Sequence, residues 1–272
     1  MARNNEISWR RDLHVYWHSL RLQIRSAMSL RGAFAVQIFG MVLNNTALIA
    51  AWLFLFHKFG TINGWHAHEL IGVIGINMLI FGVMMVFSSG LMDLPRYVDR
   101  GSLDSMLTKP APLLLQLAGS NLDPTTFGDV LLGLGITLWY MSSAHVTFVK
   151  LTLFLLTLIV ALVLFWCFAL LLPNSLAFYI FDSERIGRYA GGLFLESGMY
   201  PTGVLTGALR MFLLTFVPGL FIGAVPLEVL YRFGWKAALL GIGVATFWLI
   251  FCLRFFKRSV KRYESSNLVG AR

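Results

Sequence analysis

The sequence is dominated by apolar runs of about 20 residues, the length that a helix needs to cross the hydrocarbon core of a bilayer. These runs are continuous and lack the alternation of apolar and polar residues that a membrane β-barrel strand requires. Apolar residues make up 57% of the 272 residues and charged residues only 13%, whereas a soluble domain has about 25% charged residues. The sequence therefore predicts an all-α, polytopic integral membrane protein in which residues 1–272 form a single transmembrane domain.

Five of the apolar runs are clear candidates for membrane spans, and two further runs compete for one position. The run at 184–204 contains the charged residues Arg185, Arg188 and Glu196, and the run at 208–228 is more apolar but is broken by Pro218 and Pro226. Hydropathy favours 208–228, although broken helices are tolerated at membrane depth only where protein or a cavity covers them, so a re-entrant element is the alternative there. The clear spans are predicted at 33–56, 70–92, 127–144, 151–181 and 234–256.

The positions of the basic residues predict the orientation of the chain. The net charge is +9, and six of the 22 basic residues lie within 1–31 and six more within 254–272. Basic residues that flank membrane segments indicate cytoplasmic retention and contact with anionic lipids rather than nucleic acid binding. Both termini and the central loop are therefore expected in the cytoplasm, which requires an even number of crossings.

Residues 6–31 have the pattern of an amphipathic helix with basic residues on its polar face. Such a helix lies in the headgroup region of a membrane and does not span it, although a cytoplasmic helix that packs on protein has the same periodicity. Its apolar face would consist of Leu13, Tyr16, Trp17, Leu20, Ile24 and Ala27.

The polar segment at 93–112, here called the central loop, lies between the second and third predicted spans. Asp104 to Leu107 can form about one helical turn, with Gly101 before it and Pro110 after it. Leu103, Met106 and Leu107 would then share an exposed apolar face, which suggests that a soluble partner docks there. An ordinary connecting loop is the alternative.

Several polar side chains are predicted at membrane depth or on the outer side. Asparagines within spans can line a substrate pathway, but they more often form hydrogen bonds between helices. An intramembrane carboxylate is a functional candidate by default, and outer histidines could bind zinc or copper. The candidate pathway residues are Asn44, Asn45, Asn77 and Glu196, and the histidines considered for a metal are His66, His68 and His145.

Motifs for enzymatic chemistry are missing from the sequence. There is no Gly-rich phosphate loop, HExxH motif or nucleophile elbow. We therefore expect neither nucleotide hydrolysis nor a bound cofactor on this chain. An integral membrane enzyme acting on lipids and a membrane scaffold without transport activity are the alternatives to a transport protein.

The ordered combination of several motifs resembles the membrane subunits of type-2 ABC exporters, in a prokaryotic branch of ABC permeases. One motif is Gly101-Ser102-Leu103-Asp104, followed by Leu107 and by Lys109-Pro110. Later motifs are Tyr200-Pro201, then Arg210, then Thr215-Phe216-Val217-Pro218 and Pro226. With the N-terminal amphipathic helix, the resemblance covers nearly the whole chain.

This resemblance implies six spans, with 184–204 as the fifth and 208–228 as a re-entrant element before the sixth. It implies that the central loop contains a coupling helix that contacts a separate ATPase subunit, with Gly101, Leu103, Asp104, Met106, Leu107, Lys109 and Pro110 as the coupling residues. It also implies two copies of that ATPase, which hold ATP and Mg, and a second permease chain, identical or paralogous. The transporter would export a hydrophobic or amphipathic substrate across the inner membrane of a prokaryote.

Overall fold

The structure is a computed structural model, and its elements are all helical, with helices accounting for 84% of the residues. It describes residues 2–61, 65–143, 146–199, 207–232 and 235–263, without the side chains of 2–9, 143, 231 and 232.

Thirteen α-helices, connected in places by short 3₁₀ or π turns, make up these described ranges. They are α1 (Ala2–Ser29), α2 (Arg31–Phe59), α3 (Ala67–Ser88), α4 (Leu94–Asp99), α5 (Asp104–Leu107), α6 (Leu113–Ala118), α7 (Thr126–Ser143), α8 (Phe148–Phe165), α9 (Leu172–Asn174), α10 (Glu184–Ser197), α11 (Gly207–Thr215), α12 (Ala224–Arg232) and α13 (Trp235–Val260).

Four stretches of helix in the described ranges are long and apolar enough to cross a membrane. They are Arg31–Phe59, Ala67–Asp99, Phe148–Phe178 and Trp235–Val260. Two of them contain the predicted spans at 33–56 and 70–92 completely. The third covers 151–181 except for its last three residues, and the fourth covers 234–256 except for residue 234, which lies outside the described ranges. The chain is therefore a multi-pass membrane protein, and the two remaining predicted crossings stay predictions.

The α3 helix lies at the centre of the fold, with 67% of its most apolar window buried. It packs against α7 on one side and against α8 and α12 on others. The α13 helix packs outside α8, and α2 packs outside α7. As a result α2 is the least covered of the four long helices, with only 6% of its window buried.

The close contact between α3 and α7 depends on glycines. A Cβ atom at Gly133 would lie 2.5 Å from the backbone nitrogen of Leu79 and 2.8 Å from the carbonyl oxygen of Gly75. Gly72 faces Tyr140 in the same interface. Because only glycine permits such a short distance between the backbones, these residues allow α7 to pack along α3 in the opposite direction.

The helix from Phe148 to Phe178 contains Pro173, yet it does not stop there. A proline inside a helix removes one backbone hydrogen bond and clashes with the preceding turn. The turn before it widens into a π-helix at Trp166–Leu171. Asn174 and Ser175 then donate side-chain hydrogen bonds to the carbonyl oxygens of Leu170 and Leu171, at 2.7 and 2.6 Å. These bonds satisfy acceptors that an interrupted helix would leave unpaired.

The α1 helix uses its apolar face mainly to contact protein. Leu20 is buried against Val86 and Leu122, with Tyr16 and Ile24 packed beside it. The Tyr16 hydroxyl donates a hydrogen bond to the carbonyl oxygen of Phe87 at 2.7 Å, and burial raises the pKa of this hydroxyl to about 12. Of the six residues predicted on that face, Leu13 and Trp17 remain exposed.

The region after residue 181 contains shorter helices than the sequence suggested. Within the predicted span at 184–204 the structure has α10, which has 14 residues and is therefore about 21 Å long. Residues 200–204 lie outside the described ranges. The segment 208–228 contains α11, a 3₁₀ turn at Gly219–Phe221 and α12. The expected interruption at Pro218 is present, and neither segment is among the four long apolar helices.

Candidate functional site

The central loop folds into two short helices joined by a tight turn. The α5 helix spans Asp104–Leu107, as the sequence predicts. Gly101 has a φ of 67°, a backbone conformation that glycine adopts at little cost. The Leu103 N–H donates a hydrogen bond to the carbonyl oxygen of Tyr97 at 3.2 Å. The turn therefore folds α5 back against the end of α4.

The expectation that Leu103, Met106 and Leu107 share an exposed face is wrong for Leu103. Leu103 is fully buried in the main core, which also contains Leu94 and Leu117. Met106 is half-buried against the same core, whereas Leu107 is 45% exposed. Because the turn at Gly101 directs Leu103 inward, this residue anchors the loop and cannot itself enter a partner.

Side chains from neighbouring helices hold the second half of the central loop. Gln116 donates hydrogen bonds through Nε2 to the carbonyl oxygens of Met106 and Ala111, at 3.0 and 2.7 Å. Arg11 of α1 donates to the carbonyl oxygen of Pro110 at 3.2 Å. The loop is thus fixed from both sides, with Leu107, Lys109 and Pro110 left on its exposed surface.

The end of α13 also lies beside this loop. The Tyr263 hydroxyl faces Asp104, and its pKa is raised to about 12, first by burial and then by this carboxyl group. Asp104 is therefore directed toward the fold, and its side chain is half-buried. The last described residue of the chain contacts the predicted coupling helix in this way.

A cluster of charged side chains connects the start of the central loop to α10. The Glu184 Oε1 atom lies 2.6 Å from Arg96 Nη2 and 2.8 Å from Arg188 Nη2. Arg96 also pairs with Asp93 at 3.1 Å, and Asn121 donates to the second oxygen of Asp93 at 2.7 Å. This cluster links α4 directly to the first turn of α10.

The four candidate pathway residues do not converge on one point. Asn45 is buried between α2 and α7, where its Nδ2 donates to Asp129 Oδ1 at 2.6 Å. Asn77 is buried between α3 and α10 and donates to the carbonyl oxygen of Leu195 at 3.2 Å. Both asparagines therefore form the bonds between elements that the sequence left as the alternative, whereas Asn44 and Glu196 are exposed on the surface of the chain.

Two acidic residues that the structure places at important positions were missed by sequence reasoning. Asp129 is 2% exposed, although it is the one carboxylate in the α7 run and could have been noticed for that reason. Glu184 is the first residue of α10 and pairs with two arginines. The sequence gives little indication of this role. Arg188 lies one helical turn after Glu184, but the second partner, Arg96, lies far away in the central loop.

The histidines on the predicted outer side give only a partial metal-ligand set. The His66 and His68 rings are 5.7 Å apart, and the His66 backbone N–H donates to Glu69 at 3.0 Å as α3 begins. His145 lies outside the described residues. Within the described ranges, no group of three histidine, cysteine or acidic side chains could hold a metal ion.

Comparison with known proteins identifies the family. A model of the ABC-2 family transporter proteins matches residues 42–267. No curated protein and no solved structure matches the chain. The matched region includes the part of α2 from residue 42 onward, the central loop and α13. The chain belongs to the ABC-2 family of transporter proteins and is a membrane-spanning permease component of an ABC transporter.

Proposed function

We propose that this chain is one of two permease subunits, identical or paralogous, in an ABC exporter of a prokaryotic inner membrane. Two copies of a separate ATPase subunit would bind ATP and Mg and would dock on the central loop. Both termini would lie in the cytoplasm, in agreement with the distribution of basic residues. The cargo would be a hydrophobic or amphipathic molecule, because the long helices carry few charges.

The observation that carries this proposal is the combination of an exposed tip and a buried anchor in the central loop. Leu107 is 45% exposed beside Lys109 and Pro110, while Leu103 is fully buried. An element that transmits movement must contact its partner on one side and be fixed to the membrane helices on the other. Leu107 would make the first contact and Leu103 makes the second, within five residues.

A groove beside the loop extends the surface available to an ATPase. The groove has a volume of 410 Å³ and lies between α1 and the segment from Met106 to Ser120. Its lining includes Arg11, Val15, Leu22, Lys109 and Pro110. A partner that seats on Leu107 would therefore contact α1 as well, and α1 and the loop would move together.

The charged cluster supplies a route from the docking surface toward the helices that follow residue 181. Movement of α4 would be transmitted through Arg96 and Glu184 to α10. Asn77 then connects the end of α10 to the central helix α3 through the Leu195 carbonyl oxygen. The ATP-driven change between inward-facing and outward-facing states would follow this chain of contacts.

The exposure of α2 supports a second permease chain. A span with only 6% of its window buried must be covered by lipid or by another protein. Asn44 lies on its exposed surface, and polar groups are costly in contact with lipid. We therefore propose that a second chain covers Asn44. Glu196, which is also exposed, stays a proposed pathway residue on a different helix, and α7, α10 and the interrupted segment 208–228 are the remaining proposed membrane elements.

The test is a mild-detergent pull-down of the tagged chain from its native membranes, with mass spectrometry of the subunits that co-purify. The test variant is Leu107→Asp combined with Lys109→Glu, because both side chains are exposed and their replacement leaves the Leu103 anchor intact. We expect a stoichiometric ATPase with the unmodified chain and at least a tenfold loss with the variant.

Phe148→Asp is a control for an exposed apolar residue replaced by an acidic one, since Phe148 is 83% exposed. It lies about 45 Å from the end of its helix that contacts α4. This control should retain the ATPase. Purification of the unmodified chain without any ATP-binding subunit would contradict the proposal and favour a membrane enzyme or scaffold. Retention of the ATPase by the Leu107 and Lys109 variant would contradict the docking site, but it would leave the proposal of an ABC exporter standing.

A further inference from the structure

The outward face of α13 carries a groove that the proposed transport mechanism does not use. The groove has a volume of 640 Å³ and is lined by one face of the helix. Its lining residues recur at helical spacing and are Phe247, Ile250, Phe251, Arg254, Phe255 and Arg258. The opposite face of α13 is buried and includes Gly241, Cys252 and Phe256. The groove therefore faces away from the protein core.

Three stacked phenylalanine rings form the apolar half of this groove. The Phe247 and Phe251 ring centroids are 6.5 Å apart, and those of Phe251 and Phe255 are 6.2 Å apart, with nearly parallel planes. Tyr179 continues the stack, with its ring 5.7 Å from that of Phe255. These rings form a continuous apolar strip of about 12 Å along the helix from Phe247 to Phe255.

Two arginines form the polar half. Arg254 and Arg258 are one helical turn apart, both are exposed, and neither forms an ion pair with an acidic side chain of the described ranges. The α13 sequence itself contains no acidic residue. Two unpaired guanidinium groups at the end of an apolar strip favour an anion with an attached apolar chain.

We propose that this groove is a binding site for one anionic phospholipid. The phosphate group would lie between Arg254 and Arg258, because the planar guanidinium group forms paired hydrogen bonds with phosphate oxygens. One acyl chain would extend over Phe255, Phe251 and Phe247 toward the middle of the bilayer. The charged end of the groove lies at the end of α13 with Lys257 and Arg258, where a headgroup is expected.

A second copy of the chain fits this face less well than a lipid. Covering Arg254 and Arg258 with protein would bury two charges, and a buried charge needs a partner of opposite sign. A chain with a net charge of +9 is a poor source of such partners, whereas an anionic lipid brings its own negative charge and is abundant around any membrane protein.

The test is native mass spectrometry of the purified full-length chain titrated with phosphatidylglycerol or with phosphatidylcholine. We expect one phosphatidylglycerol molecule to bind preferentially. The variant with Arg254→Gln and Arg258→Gln should bind it about 30-fold more weakly, which corresponds to about 2 kcal/mol. Phe251→Ala should weaken binding of both lipids without altering the preference between them.

The matched control carries Arg21→Gln and Arg25→Gln, which remove the same charge from the exposed face of α1. This control can lose weak lipid contacts of α1, but it should keep the one preferential phosphatidylglycerol site with the affinity of the unmodified chain. Equal affinity for the two lipids, or equal loss in the control, would overturn the proposal. Disulfide formation between two chains carrying Ile250→Cys would also overturn it, since a second copy would then cover the groove. These results do not depend on the ATPase partner.

Discussion

Substitution of Glu184 by glutamine tests whether the charged cluster fastens α10 to the central loop. Glutamine has nearly the same size as glutamate and keeps one acceptor oxygen, but it removes the charge that Arg96 and Arg188 share. Both arginines contact the same Oε1 atom, at 2.6 and 2.8 Å. The substitution therefore changes the electrostatics of this contact and leaves its packing in place.

The expected effect follows from the exposure of the three side chains. Glu184 is 19% exposed and Arg96 is 45% exposed, so solvent screens the attraction, and each pair contributes about 0.2–1 kcal/mol. Removal of the carboxylate also leaves two guanidinium groups facing each other, which adds about 0.5 kcal/mol of repulsion. Together these effects destabilise the contact by about 1–2 kcal/mol, which corresponds to roughly a tenfold increase in local opening.

Hydrogen–deuterium exchange measured by mass spectrometry gives a direct assay that requires no substrate. Peptides from α4 and from the first turns of α10 should exchange about ten times faster in Glu184→Gln, while α13 should be unchanged. Glu196→Gln is the control, because Glu196 belongs to the same helix and forms no ion pair in the described ranges. Unchanged exchange in α4 and α10, or an equal change in the control, would refute the reasoning.

Three further substitutions test other contacts by thermal unfolding in detergent. Gly101→Ala should destabilise the chain by about 1 kcal/mol or more, because φ at this position is 67° and alanine is strained there; an unchanged melting temperature would contradict the turn. Gly133→Ala should cost about 1–3 kcal/mol, because the added carbon would overlap the α3 backbone, whereas Gly135→Ala has no neighbour within 4 Å and should be neutral or stabilising. Asn45→Leu should lower the stability by about 3 kcal/mol, because Asp129 would stay buried without its hydrogen-bond donor. Addition of Asp129→Leu should restore part of this stability. If it restores none, the pair does not account for the effect.

The parts of the fold that follow local rules could be predicted from the sequence. Gly101 and Pro110 delimit one turn of helix, and α5 spans Asp104–Leu107 as expected. The four long helices cover nearly all of their predicted spans, because length and hydropathy are sufficient to define them. The resemblance to ABC permeases also rested on local motifs, and the family match confirms it.

The parts that depend on tertiary contacts could not be predicted in the same way. A helix of a single turn has no face that can be assigned without its neighbours, and the direction of Leu103 depends on how α5 folds back on α4. The pairs formed by Glu184 with Arg96 and by Asp129 with Asn45 join residues far apart in the chain. Their spacing in the sequence has no periodicity from which the contact could be inferred.

The π turn at Trp166–Leu171 has a consequence for the phase of the helix that contains it. A π turn closes its hydrogen bonds over five residues instead of four and so accommodates about one additional residue. Residues beyond it are rotated by about 100° from the positions that an unbroken α-helix would give them. A mutational scan from Phe148 to Phe178 should therefore show two periodic patterns of tolerance with a phase jump between them, and a single helical wheel would place Asn174 and Ser175 on the wrong side.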